Sequence, residues 1–255
     1  MGLTLTRRGK VLAATLDAPA RGNPLNRASI AGLHAALDEA EADPDLRILT
    51  IQGAGGVFCA GMDFSEATAT SDMDEAGIRA LVGSLYDLFE RLGASEIVTV
   101  ALVDGPATAG GLGLVAASDI AIATPRASFQ LSEILFGLLP ATVAPFLVRR
   151  MGAQDPFRMT LTAERMDAAT ALARRLVDEV TETPADSLRR LLIRMDRVAR
   201  RDVAATKAYF RQLWIMNDAT RGHAVETIAT RIADPRSMTA IRAFLESGGA
   251  PWRTP

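Results

Sequence analysis

The stretch Ile97-Val98-Thr99-Val100-Ala101-Leu102-Val103, followed after Asp104 by Gly105-Pro106-Ala107-Thr108-Ala109-Gly110-Gly111-Leu112-Gly113, decides the class of fold. Seven residues dominated by Val, Ile and Leu read as a buried strand, because such side chains fit a pleated surface covered on both faces. The glycines then turn the chain sharply into a short helix. Asp119-Ile120-Ala121-Ile122-Ala123 returns as another apolar strand. Strand, tight turn, helix and strand in succession is the pattern of an α/β protein with crossover connections.

The alternation continues toward the N-terminus. Residues 3–18 read as two short strands, and residues 19–24 as a loop of Pro, Gly and Asn. A helix is predicted over about 27–42, with Ile30, Leu33 and Leu37 on one face. Residues 46–51 read as a strand, broken by Gly53-Ala54-Gly55-Gly56. Residues 65–77 are small, polar and acidic and read as a mobile loop that orders over substrate; Ile78, Leu81, Val82, Leu85, Leu88, Phe89 and Leu92 then mark an amphipathic helix. Beyond residue 143 the pattern is helical, in segments near 143–151, 167–175, 185–199, 201–217, 219–232 and 236–247, with one short strand near 176–180. No repeat, low-complexity tract or long linker interrupts the chain, so one α/β core with an appended helical region is expected.

Composition excludes several classes of function. The 255 residues carry 28 basic and 30 acidic side chains, a net charge of −2, which argues against a generally basic nucleic-acid binder. No apolar run approaches the roughly 18 residues of a membrane span. The N-terminal residues lack the apolar core of a signal peptide and the charge of a transit peptide, so a cytoplasmic location is expected. Cys59 is the single cysteine, and with only His34 and His223 beside it no metal site is expected. Cys59 reads as a packing residue, His34 as solvated on the polar side of its helix, and His223 as a packing or interface residue.

Two glycine-bearing turns follow candidate buried strands: Phe58-Cys59-Ala60-Gly61-Met62-Asp63-Phe64, and the turn through Gly110. Backbone N–H groups left free at such turns can converge on one carbonyl oxygen as an oxyanion hole, although glycines also serve simply to let a chain turn. The spacing of Gly110, Gly111 and Gly113 does not fit the dinucleotide fingerprint, and no lysine follows as a phosphate loop requires. A third segment, Ser128-Phe129-Gln130-Leu131-Ser132-Glu133-Ile134-Leu135-Phe136-Gly137-Leu138-Leu139-Pro140, has Glu133 as its one ionisable group. Desolvation raises the pKa of such a carboxyl toward neutrality, where it can exchange a proton with substrate.

In this order and spacing the segments resemble the crotonase (enoyl-CoA hydratase/isomerase) superfamily. The resemblance covers almost the whole chain, from Asn23-Pro24-Leu25 through the two glycine turns, Asp119–Ala123 and Glu133 to Arg149-Arg150-Met151-Gly152. It implies an α/β spiral of ββα turns over residues 1–195. Residues 196–255 would form a helical region packing on the core and on neighbouring subunits, in a homotrimer or a dimer of trimers. It implies a substrate held as a phosphopantetheine thioester of acyl carrier protein or CoA, with no cofactor of the enzyme's own and no nucleic-acid or membrane partner. Carried onto this sequence, the oxyanion donors are the N–H groups of Met62 and Gly110. Glu133 is the acid–base residue, and Asp63 a second polar group that serves either catalysis or the start of a following helix. Asn23, Pro24, Leu25, Ala60, Gly61, Gly111 and Gly113 fall beside the substrate arm. Lys207 is offered as a contact to a CoA phosphate, against the plainer reading of a solvated helical lysine.

One departure matters. Hydratases of this family carry two acid–base glutamates, and the position of the first is Gly113 here. The segments 108–115, 132–138 and 144–150, with the ending from Ala233 to Trp252, resemble one branch of the superfamily, the dehydratases of polyketide β-branching. That branch implies dehydration of a 3-hydroxy-3-methylglutaryl group on a carrier protein to 3-methylglutaconyl. The alternatives are an enoyl-CoA hydratase or isomerase of general acyl-CoA metabolism, an inactive crotonase-fold binding protein, and a nucleotide-binding module. A distal carboxylate calls for an arginine, and sequence does not choose which. Arg149-Arg150 is one candidate, against the reading of a solvated helix face.

Overall fold

The computed structural model describes residues 2–63 and 75–247. Strand β1 (Leu3–Arg8) and β2 (Val11–Leu16) pair antiparallel around Gly9, whose φ of 60° suits the tight turn. Strands β3 (Ile48–Gly53), β4 (Val98–Val103), β6 (Ile120–Ala123) and β9 (Glu179–Val180) then add in parallel, giving the order β1-β2-β3-β4-β6-β9. A second sheet of three short strands, β5 (Pro106–Thr108), β7 (Ser128–Gln130) and β8 (Arg165–Asp167), takes the chain after β4 and β6. Each of those turns runs through a strand in one sheet and a short strand in the other, then into a helix, as in an α/β spiral of ββα units.

Helices close the spiral. Helix α1 (Arg27–Ala42) starts at a reciprocal cap, in which the Asn26 side chain accepts from the Ser29 amide and the Ser29 hydroxyl accepts from the Asn26 amide, both at 2.9 Å. Such a cap contributes about 1 kcal/mol. Here it also holds the Pro24–Leu25 turn still. Helix α2 (Glu75–Ala94) and helix α3 (Gly110–Ala117) bury Phe89 and Leu114 against Leu16, Ile51 and Phe129 of the core. Helix α4 (Ala144–Met151), helix α5 (Gln154–Thr162) and helix α6 (Ala168–Ala173) lead to α7 (Pro184–Met195). Leu188, Leu191, Leu192 and Met195 of α7 cover the outer face of the first sheet at Val11, Ile48, Val98 and Ile122. Helices α8 (Arg200–Arg211), α9 (Asp218–Ala233) and α10 (Pro235–Ser247) follow.

Three readings of the sequence change. Helix α5 is not anticipated by periodicity, because Pro156 stands in its first turn and only Pro156 and Met159 are buried. Strand β8 has three residues and is defined by pairing with β7, not by any local pattern. Of the expected loop at 65–77, residues 65–74 lie outside the described residues, and residues 75–77 already belong to α2. Among the described residues no helix is long and apolar enough to cross a membrane.

Candidate active site

The two glycine turns lie side by side. Cys59 bridges to Ala107 in parallel, with the Thr108 amide donating to the Cys59 carbonyl at 2.8 Å. On the other flank Leu25 bridges to Met62: the Leu25 amide donates to the Gly61 carbonyl at 2.7 Å, and the Asp63 amide to the Leu25 carbonyl at 2.9 Å. This lattice leaves the Met62 and Gly110 amides without an acceptor among the described residues. Gly110 is the first residue of α3, where an N–H has no partner within the helix.

The backbone is bent to make this possible. Ala109 has φ 50° and ψ −121°, a conformation that costs an L-residue on the order of 1–3 kcal/mol and clusters at functional sites. Gly61 has φ 91°, and a Cβ there would stand 2.8 Å from the Ala109 Cβ and 3.0 Å from the Thr108 carbonyl oxygen. Only glycine lets the two turns approach so closely.

Both turns open on a cavity of about 550 Å³. Its lining includes Pro24, Ala60, Gly61, Met62 and Asp63, then Thr108 and Ala109, and Glu133 with Leu135 and Phe136. Ile241 and Phe244 of α10 also line it, with the Phe244 ring edge-on to Phe136 at 5.3 Å. Glu133 begins a short 3-10 turn, residues 133–136, ended by Gly137 in the left-handed region. It is only 9% exposed, and its Oε2 is buried with no hydrogen-bond partner among the described residues. Burial pushes its pKa up to about 7, against smaller opposing effects of its own amide and that of Ser132. Such a carboxyl in a cavity wall is poised to accept or deliver a proton near neutral pH. Asp63 also lines the cavity, and its Oδ2 accepts from Arg21 Nη1 at 3.1 Å; the helix it was read as capping would lie outside the described residues.

Four of the residues expected beside the substrate arm stand behind the wall instead of along it. Asn23 is buried at φ 53°, and its side chain holds the Ala54 and Val57 carbonyls and the Ala18 amide. Leu25 is buried beneath Gly110. Gly111 makes room for the Cys59 carbonyl, since a Cβ there would lie 2.4 Å from its oxygen. Gly113 faces the Phe89 ring, where a Cβ would lie 2.2 Å from Cζ. The place of a second glutamate is thus occupied by an aromatic side chain.

Some expectations outside the cavity are corrected. Lys207 is not solvated: it is buried, pairs with Asp119 Oδ2 at 2.5 Å and donates to the Ile97 carbonyl at 2.7 Å. Burial lowers its pKa, and Asp119 opposes that effect. Arg149 and Arg150 do not form a solvated face. Arg150 donates to the Ser118 carbonyl at 2.9 Å and to Asp178 at 3.0 Å, and Arg149 lies over the Trp214 ring at 4.5 Å. His34 sits half-buried between helices, 3.2 Å from the Ser84 carbonyl and 3.1 Å from Arg91. Cys59 is the packing residue expected, fully buried, with burial pushing its thiol up to about 12. His223 is exposed beside an apolar groove between α4, α5 and α9. Sequence reasoning missed Arg21, Gln130 and Arg165 in the cavity wall, and nothing local marks them.

With this geometry in place, the class of the protein follows. The enoyl-CoA hydratase/isomerase family profile matches residues 6–255, and the chain belongs to that family, with its crotonase fold and its hydro-lyase enzymes. Among its relatives, the bacillaene synthase dehydratase PksH of Bacillus subtilis is 34% identical over 93% of this chain and 91% of its own length. Enoyl-CoA hydratase EchA19 of Mycobacterium tuberculosis is 31% identical over 81% of this chain and 78% of its own. The crystal structure of Bacillus subtilis PksH superposes with a TM-score of 0.88 at 30% identity, covering 97% of this chain and 98% of that one. An enoyl-CoA hydratase from Mycobacterium avium gives 0.83 at 27% identity, with 98% of each chain covered.

Proposed function

We propose that the protein dehydrates a 3-hydroxyacyl thioester, the favoured substrate being 3-hydroxy-3-methylglutaryl on an acyl carrier protein. The observation that carries this reading is one buried carboxyl, Glu133, with an oxygen unpartnered among the described residues, lining the same cavity as Met62, whose amide is free. The thioester oxygen accepts from the Met62 and Gly110 amides, which stabilise the enolate as it forms; loss of one such donor typically costs about 3 kcal/mol of barrier. The Glu133 carboxylate takes the C2 proton. The C2–H electron pair passes through the enolate into a C2–C3 double bond as the C3–O bond breaks. The departing hydroxyl leaves as water with the proton from Glu133. With Phe89 against Gly113, no second carboxylate stands at that position, so the one carboxyl of Glu133 carries both proton transfers, as the elimination above requires.

The likeness to the PksH dehydratase favours this substrate over that of a general acyl-CoA hydratase or isomerase, which remains the second reading, supported by EchA19. The exposed Tyr209, Phe210, Leu213 and Ile215 support a trimer built through residues 196–255. The test is to incubate the protein with carrier protein loaded with 3-hydroxy-3-methylglutaryl, and in parallel with crotonyl-CoA. Intact mass lower by one water on the carrier, faster than hydration of crotonyl-CoA, supports the proposal. Hydration of crotonyl-CoA with no change in the loaded carrier overturns it.

A further inference from the structure

The structure assigns Arg165 the recognition of an anionic group at the far end of the substrate's acyl chain, an inference that rests on the dehydratase reading above. Among the described residues two cations line the cavity, Arg21 and Arg165. Arg21 is committed to Asp63. Arg165 makes no ion pair and no side-chain hydrogen bond among the described residues. The carboxylates beside it in sequence are engaged elsewhere. Glu164 pairs with Arg158 at 2.8 Å and Arg174 at 3.1 Å, and Asp167 accepts from the Thr170 amide at 2.8 Å.

The ladder of the second sheet fixes where Arg165 stands. Thr108 pairs with Gln130, and Gln130 with Arg165. Directly opposed residues of an antiparallel pair project on the same face, so Arg165 stands beside Gln130, itself a wall residue. Two strand spacings of about 4.8 Å put the Arg165 backbone roughly 10 Å from that of Thr108, two residues before the oxyanion amide of Gly110. A carboxylate four carbon–carbon bonds of about 1.5 Å from the thioester carbon reaches on the order of 5 Å. A charge-assisted hydrogen bond of about 2.8 Å then closes the distance to a guanidinium within that span. Leu135, Phe136, Ile241 and Phe244 of the same lining are apolar and offer an anion nothing. Arg165 is exposed, and its planar guanidinium offers a carboxylate two parallel donors.

The experiment compares 3-hydroxy-3-methylglutaryl thioester with its terminal methyl ester, in wild type, Arg165→Gln, Arg165→Lys and Glu133→Gln. The readout is the ratio of kcat/KM for acid over ester. Loss of one hydrogen bond to a charged group predicts a fall in that ratio of about 10- to 100-fold in Arg165→Gln, expressed mainly in KM, with partial recovery in Arg165→Lys. A ratio unchanged in Arg165→Gln, while Glu133→Gln abolishes turnover of both substrates, overturns the inference and leaves the dehydratase reading standing. Wild type that dehydrates neither substrate overturns both.

Discussion

Replacing Glu133 by Gln should stabilise the folded protein at pH 8 while removing its turnover. The carboxyl is 9% exposed with one oxygen unpartnered, and burial moves its pKa from 4.5 to about 7. Below about pH 4.5 it is protonated in both states and carries no penalty. As pH rises from there to about 7 the unfolded chain ionises first, so the folded state loses stability, and above 7 the loss is constant. At 1.36 kcal/mol per pKa unit the loss is on the order of 3 kcal/mol at pH 8. Gln has a neutral amide of the same shape and removes it. For a chain of this length roughly 2–4 °C per kcal/mol predicts a Tm higher by about 6–12 °C in Glu133→Gln at pH 8. The gain should vanish near pH 4.5. Turnover should fall about 10²–10⁴-fold, the usual range for loss of a general base, and wild-type kcat/KM should rise with pH to a plateau above about 7. Thermal melts of both proteins at the two pH values, with one rate profile, decide it. A Tm at pH 8 equal to or below that of wild type would mean the carboxylate is hydrated or paired, and the proton chemistry assigned to it would lose its basis.

Gly113→Ala places a methyl 2.2 Å from the Phe89 ring, and overpacking of that kind should cost about 1–3 kcal/mol in urea melts, with partial recovery when Phe89→Leu is added. Asp119→Ala strips the buried Lys207 ammonium of its carboxylate and should cost about 3–5 kcal/mol in denaturant titrations, much of it restored by Lys207→Met in the same chain. Cys59, buried with its thiol pushed up to about 12, should resist iodoacetamide at pH 8 in the folded protein and react once urea unfolds it, as intact mass will show.

Much of the fold was legible because the signals are local and periodic. The strand at 98–103, the apolar face of α2 and the Asn26 cap of α1 follow from side-chain spacing and capping chemistry within a few residues. Glu133 was legible for the same reason: a lone carboxyl within an apolar run has little choice but burial. The three-residue strands β5, β7 and β8 were not, since each exists only through its partner. Lys207 was misread because a charge on a helix is ordinarily solvated, and its partner, Asp119, lies on the β6 approach far along the chain. Arg150 was misread in the same way, its guanidinium being spent on carbonyls of the 118–119 turn.

The amino-acid sequence by itself determined the succession of strands and helices, the glycines at 61 and 110 that allow two sharp turns, and a carboxyl set among apolar neighbours. These depend on interactions spanning a handful of residues. Tertiary structure alone decided that the turns through Gly61 and Gly110, 49 positions apart, pack against each other, a Cβ on Gly61 standing 3.1 Å from the Gly110 nitrogen. It also decided that Phe89 fills the space facing Gly113 and that Arg165 stands across Gln130 at the cavity wall. Such neighbours are created by strand register and by close packing between distant segments, and no local pattern records either.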